Sequence, residues 1–339
     1  MGFIRNFIAN VTMIILSVAF ALIAGEIGLR TYVGIINGAE NQKEHWAYIT
    51  YAESRRIYGY HPNNERLGTN SWGFRDREFD ITKDEGEKRI IMLGDSILAA
   101  MEIHRNETVS SFLEADLRQT TGSNYKAYNL GVTGYNVSQS LATLKEVGLK
   151  LSPDIVVYNL CLNDSDPVYN VTQQGLFVTA EISAFTDINL RTIVGSSYLL
   201  TFLKVKMIHL LRNVNPDLIM TLNNPQLIIN KRISERAWSS MKAKIQKMHD
   251  VAVKNGAYFL VAIYPYASQV GRTASELLPQ SDLKLFFESS DITFIDLIDV
   301  YASAERNMFV DSEVHLNAYG TERIAQVLAM KVISLDSEE

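Results

Sequence analysis

The sequence predicts a three-layer, doubly wound α/β domain built on a parallel five-stranded sheet, preceded by one transmembrane helix. Three observations predict it. Five short runs rich in β-favouring residues recur between residues 89 and 297. Segments whose apolar residues recur at steps of three and four lie between them. Strand–helix alternation of this kind implies parallel strands joined by right-handed crossovers. Lastly, Phe7 to Gly25 is a 19-residue stretch without a charge.

That stretch comes first in the chain. As a helix it would reach roughly 28 Å, close to the thickness of a bilayer's hydrocarbon core. Arg5 precedes it, which favours a cytoplasmic N-terminus and an exported body. An uncleaved anchor over residues 1–30 is the first expectation. Ala19-Phe20-Ala21 also resembles a signal-peptide cleavage site, which would give a secreted protein. A buried core helix is the third reading. Residues 31–85 are polar and aromatic without strong periodicity, and read as a linker and an ordered pre-strand loop. Within them Gly68-Thr69-Asn70-Ser71-Trp72-Gly73-Phe74-Arg75 has the composition of a turn-rich loop.

The predicted strands are Arg89–Leu93, Lys126–Leu130, Ile155–Leu160, Tyr258–Tyr264 and Thr293–Leu297. Near-continuous apolar runs such as Ile90-Ile91-Met92-Leu93 suit strands covered on both faces. Predicted helices cover Thr108–Leu117, with Val109, Phe112, Leu113 and Leu117 on one face, and Ser138–Leu149. A third carries Trp238, Met241, Ile245, Met248 and Ala252 at helical spacing, after a Ser234 cap and before Gly256. The last follows Asn317, with Ile324, Val327, Leu328 and Val332 as its stripe. The domain is thereby expected over 86–335. Residues 165–233 exceed what one crossover needs, and read as an insertion over the carboxyl edge of the sheet. It includes an apolar helical run, Tyr198 to Leu211. A lid or substrate wall and simple extra packing are both open readings of it.

Composition narrows the function. The chain has 339 residues, 47% of them hydrophobic and 21% charged, with a net charge of −6. That balance gives no electrostatic case for nucleic acid. The single cysteine, Cys161, excludes an internal disulfide framework. The six histidines show no paired metal-ligand spacing, so a zinc site has little support.

The chemistry centres on Lys88–Ser96, which reads as a strand ending in a tight Gly94-Asp95-Ser96 turn. Ligands bind at the carboxyl ends of strands in open α/β sheets. A helix-capping Asp-Ser turn has the same signature. A serine nucleophile needs a base, and His315 is the candidate. The base needs an orienting group, and Asp311 lies four residues earlier. An oxyanion needs preorganised donors. The Ser96 N–H, the Gly134 N–H after the second strand and the Asn163 amide after the third could supply them. Each alone also suits a turn, a loop or a surface role. Together they fall at strand ends that a doubly wound sheet makes neighbours.

On these residues the chain resembles the SGNH hydrolases, also called GDSL esterases and lipases, of the membrane-anchored bacterial type. The resemblance covers about residues 66–335. Its first block matches Gly94-Asp95-Ser96, and implies Ser96 as nucleophile and oxyanion donor. Its second glycine falls on Gly134. Its GxND block falls on Cys161-Leu162-Asn163-Asp164, with cysteine in place of glycine. Its DxxH block falls near Asp311 and His315. There the spacing is four, and Ser312 holds the usual aspartate position. Asp311, Glu313 and a backbone carbonyl are the open choices for orienting His315. Anchored relatives often carry an NSxGFR stretch similar to Asn70–Arg75. The resemblance implies a flavodoxin-like sheet, a serine esterase without metal or organic cofactor, and ester substrates. With an exported body, O-acetyl groups on envelope or extracellular carbohydrate are the first expected substrate. Acetyl transfer to a polysaccharide, lipid ester hydrolysis and a non-enzymatic, membrane-tethered glycan-binding or assembly role are the alternatives.

Overall fold

The structure, a computed structural model, describes residues 2–39, 47–51, 53–165, 169–171, 177–179, 197, 199, 235–272, 277–311 and 314–337. The chain divides into two compact units, 1–46 with 180–221, and 47–179 with 222–339.

The first unit contains α1 (Gly2–Ala39). Its stretch Arg5–Thr31 contains an 18-residue window of mean hydropathy 2.4, none of it buried, and is long and apolar enough to cross a membrane. A signal sequence has the same length and composition. Near its end Glu26 accepts hydrogen bonds from the Ser197 hydroxyl (2.8 Å) and the Leu199 N–H (2.9 Å). The remainder of the run Tyr198–Leu211, and the lid reading of the insertion, lie outside the described residues.

The second unit holds the sheet. Its elements are β1 (Tyr48–Thr50), β2 (Tyr58–Tyr60), β3 (Glu87–Leu93), α2 (Ser96–Ala99), α3 (Val109–Thr121), β4 (Asn124–Asn129), α4 (Val137–Glu146) and β5 (Ile155–Cys161). Then come β6 (Tyr169–Val171), β7 (Phe177–Thr179), α5 (Glu235–Lys254), β8 (Tyr258–Tyr264), α6 (Leu278–Ser289), β9 (Thr293–Asp296), α7 (Ile298–Ala302) and α8 (Ala318–Asp336). Strands β4-β3-β5-β8-β9 form one parallel sheet in that order. Numbered among themselves these strands run 2-1-3-4-5, the flavodoxin-like doubly wound order.

Alternation along β3 explains the three layers. Ile91 and Leu93 face one core with Leu144 of α4, Met241, Ile245 and Met248 of α5, and Phe287 of α6. Ile90 and Met92 face the other, with Leu113 and Leu117 of α3 and Ile324, Leu328 and Val332 of α8. All seven residues of β5 are buried, as its central place requires. Each fully buried aliphatic side chain there contributes about 1.5–3 kcal/mol of transfer free energy.

The expected strands are present with shifted ends. β3 begins two residues early because Glu87, itself buried, is ion-paired to Arg89 and to Lys126 of β4. The expected Ser138–Leu149 helix ends at Glu146, and a 3₁₀ turn over Gly148–Leu151 follows. Thr108 is a cap rather than a helical residue, its hydroxyl accepting from the Ser111 N–H. The Ser234 cap lies outside the described residues. Helix α6 has no counterpart among the expected helices, and it buries its own Leu283 and Phe287.

The segment 47–85 is more ordered than its composition suggests. β1 and β2 pair antiparallel, and Tyr58, Tyr60 and Phe74 are buried in the sheet's own core. Aromatic packing rather than aliphatic periodicity builds this region, which is why no strand pattern shows in the sequence. The insertion begins with the antiparallel pair β6–β7.

Candidate active site

Because β3 lies between β4 and β5, whatever follows it is flanked by the exits of both neighbours. The chain leaves β3 through Gly94, where an added Cβ would lie 3.1–3.2 Å from Leu98 and Asn159. Asp95 is buried and caps the four-residue α2, its carboxylate accepting from the Ile97 N–H at 2.9 Å. Burial pushes its carboxyl up to about 6, against that hydrogen bond and the nearby His315 charge. Capping and presentation of Ser96 are therefore one structure. Ser96 stands partly exposed at the first helical position, where an N–H has no intrahelical partner.

His315 arrives from the other end of the chain. The Ser96 Oγ lies 3.0 Å from its Nε2, and its Nδ1 lies 2.5 Å from the Asp311 Oδ2. The four-residue spacing works because of a local turn. The Asp311 Oδ1 accepts from the N–H groups of Val314 (2.9 Å) and His315 (3.1 Å), which leaves Oδ2 facing the ring. Ser312 and Glu313 lie outside the described residues. The turn is braced from below. The Val310 N–H donates to the His315 carbonyl and the Asn317 N–H to the Met308 carbonyl. Asn317 caps α8 by accepting from the Gly320 N–H. At Gly320 a Cβ would come within 2.5 Å of the Met308 carbonyl oxygen, so only glycine lets α8 begin this close to the histidine loop.

The electrostatics favour a protonatable His315. Its burial opposes the charged ring, but the Asp311 hydrogen bond and the negative charges of Glu102, Asp311 and Asp95 outweigh it. The imidazole pKa is therefore raised above its ordinary 6.5.

The two other candidate donors lie on either side of β3. Gly134 follows β4 in a left-handed conformation (φ 76°) and is partly exposed. Its neighbour Thr133 is held from both sides. The Tyr58 hydroxyl donates to the Thr133 carbonyl, and the Thr133 N–H donates to the Tyr60 hydroxyl, each at 2.9 Å. Asn163 lies in the 3₁₀ turn Leu162–Ser165 directly after β5 and is partly exposed. Asp164 pins that turn, its Oδ2 accepting from the Tyr158 hydroxyl (2.6 Å) and the Cys161 N–H (3.2 Å). Cys161 is wholly buried, and burial pushes its thiol well above the ordinary range, so it stays protonated and unreactive.

Several residues around Ser96 had no motif to announce them. The Asn129 amide donates to the Leu98 carbonyl (2.8 Å) and its oxygen accepts from the Gly131 N–H (2.9 Å), tying the β4 exit to α2. At Gly131 a Cβ would lie 2.7 Å from the Ala99 nitrogen. Only the neighbouring Gly131-Val132-Thr133-Gly134 run hinted at so close an approach.

No family model matches the chain, and no curated protein matches it. Solved structures are similar to it at low identity. An acetylxylan esterase from Geobacillus stearothermophilus is 10% identical with a TM-score of 0.45, over 72% of this chain and 94% of that one. TesA is 13% identical with a TM-score of 0.43, over 70% and 94%. A GDSL-like lipase from Bacteroides thetaiotaomicron is 14% identical with a TM-score of 0.38, over 74% and 91%. Likeness at this level carries no argument about family or activity, and the fold assignment rests on the strand order itself.

Proposed function

We propose that this protein is an SGNH-type serine esterase acting on O-acetyl groups of envelope or extracellular carbohydrate. The observation that carries the reading is the continuous hydrogen-bonded chain from Ser96 through His315 to Asp311. In this mechanism His315 takes the Ser96 proton as the oxygen attacks the ester carbonyl. The N–H groups of Ser96 and Gly134 and the Asn163 amide hold the resulting oxyanion. His315 then returns its proton to the leaving alcohol, and water releases the acyl group by the reverse sequence. No metal or organic cofactor enters these steps. The apolar N-terminal helix, preceded by Arg5, supports anchoring with the body on the extracytoplasmic side.

The test uses the full chain in detergent with a fluorophosphonate probe and p-nitrophenyl acetate. Labelling that disappears in Ser96→Ala supports the reading. A wild-type protein that neither labels nor hydrolyses sinks it.

Two further outcomes follow from the geometry. Asn163→Ala is expected to lower kcat by about 10²–10³ with little change in thermal stability, the usual cost of losing one oxyanion donor. An unchanged kcat would remove Asn163 from the mechanism. The pH profile of kcat/KM should rise through a midpoint above 6.5, because the base must be neutral and the folded site raises its pKa. A midpoint below that value would contradict the arrangement around His315.

A further inference from the structure

We infer that Arg75, the last residue of the Asn70–Arg75 motif, is a positioning residue for Ser96. The inference rests on the esterase reading for its catalytic meaning and on hydrogen bonds for its physical content. Arg75 is only 8% exposed. Among the described residues its guanidinium forms no ion pair. Instead Nη1 donates to the carbonyls of Ala99 (3.2 Å) and Ala100 (2.8 Å), and Nη2 to that of Ile103 (2.6 Å).

These carbonyls belong to the exit from the nucleophile turn. Helix α2 has four residues, so its final carbonyls have no partner within the helix. Ala99 and Ala100 are also buried, where water cannot satisfy their carbonyls. Ala100, moreover, leaves α2 in the left-handed region (φ 48°, ψ 53°), which strains a residue carrying a Cβ. A positive, forked donor at this point serves the free carbonyls and the negative end of the turn together. The link to Ser96 is short, because the Ala100 N–H donates to the Ser96 carbonyl at 2.9 Å. Arg75 thus holds Ala100, and Ala100 holds the backbone of Ser96.

The adjoining residue extends the clamp. Asp76 is buried, and its Oδ2 accepts from the Asn129 N–H at 2.7 Å. Asn129 in turn holds the Leu98 carbonyl. The dipeptide Arg75-Asp76 therefore grips both the nucleophile turn and the strand exit beside it. The motif itself is folded to make this possible. The Asn70 carboxamide oxygen accepts from the Trp72 and Phe74 N–H groups, closing the turn that sends Arg75 inward. Gly73 (φ 76°) allows that turn to lie against the Tyr60 carbonyl, which a Cβ would approach within 2.6 Å.

Arg75→Met and Arg75→Lys in the full chain test the inference. Methionine keeps the bulk and removes all the donors, and lysine keeps the charge without the fork. Arg75→Met is expected to lower kcat on p-nitrophenyl acetate by about 10²-fold through a displaced nucleophile. KM should change by no more than about two-fold, because the loss falls on the chemical step. Fluorophosphonate labelling should slow in parallel, and hydrogen exchange should speed up in the peptide 96–103. Arg75→Lys should recover about 10-fold of the lost kcat, since one ammonium cannot span three carbonyls. A folded variant with a lower melting temperature but wild-type kcat and labelling rate would overturn the inference and leave Arg75 a support of the fold alone. If Arg75→Met does not fold, Arg75→Lys is judged by the same readouts. If the wild type neither labels nor hydrolyses, the esterase reading fails separately. Exchange in 96–103 then decides the clamp, which unchanged protection in the variants would overturn.

Discussion

Replacing His315 with alanine is expected to lower kcat for ester hydrolysis by about 10⁶, as loss of the base does in other serine hydrolases. That factor is about 8 kcal/mol of barrier. The reason is specific to this geometry. The only described side chain hydrogen-bonded to the Ser96 hydroxyl is His315, at 3.0 Å. Without it the alcohol must lose its proton to water, and the leaving alkoxide must find its own proton. Stability should change little. The ring is 26% exposed, and the loop is held by backbone hydrogen bonds of Met308, Val310 and Asn317 that survive the substitution. Steady-state kinetics with a thermal melt on the same sample check this. A loss smaller than about 10² in folded protein would rule out His315 as the general base.

Asp311→Asn should lower kcat by about 10⁴, the cost seen where a serine hydrolase's orienting carboxylate becomes an amide. The argument turns on what asparagine preserves. Its oxygen can still accept from the Val314 and His315 N–H groups, so the turn should persist. Its amino group would then occupy the place of Oδ2, and a donor there demands an unprotonated Nδ1. The ring would carry its proton on Nε2, facing Ser96, and could not accept the hydroxyl proton. The substitution also removes the hydrogen bond and charge of Asp311, the largest of the interactions that raise the imidazole pKa, while Glu102 and Asp95 remain, so the midpoint of the pH profile should fall. Wild-type kcat in Asp311→Asn would show that another group orients the ring. A midpoint that stays in place would deny Asp311 its electrostatic share.

The layered fold was legible in the sequence because its cause is local. Ile90 to Leu93 and, but for Asn159, Ile155 to Leu160 are apolar on both faces, as suits a strand covered from both sides. Parallel topology then puts every strand's carboxyl end on one edge. That is why Ser96, Gly134 and Asn163 could be grouped without a structure. The β1–β2 pair was not legible. It is held by tyrosines packed on one another and on Tyr135, and such contacts leave no period in the chain. The role of the DxxxH spacing was not legible either. Whether a carboxylate reaches a ring four residues on depends on the turn between them, here set by two backbone N–H groups.

By itself the sequence determined the strand–helix alternation, the apolar N-terminal segment and the residues at the ends of the first three sheet strands. Periodicity and chain direction suffice for these. Tertiary structure alone decided what holds them in place. The Arg75 guanidinium meets carbonyls 24 to 28 positions away, and the Tyr60 hydroxyl meets Thr133 across 73. A hydrogen bond depends on direction and on distances of about 3 Å. No pattern along the chain encodes those between segments so far apart until the core has packed and brought them together.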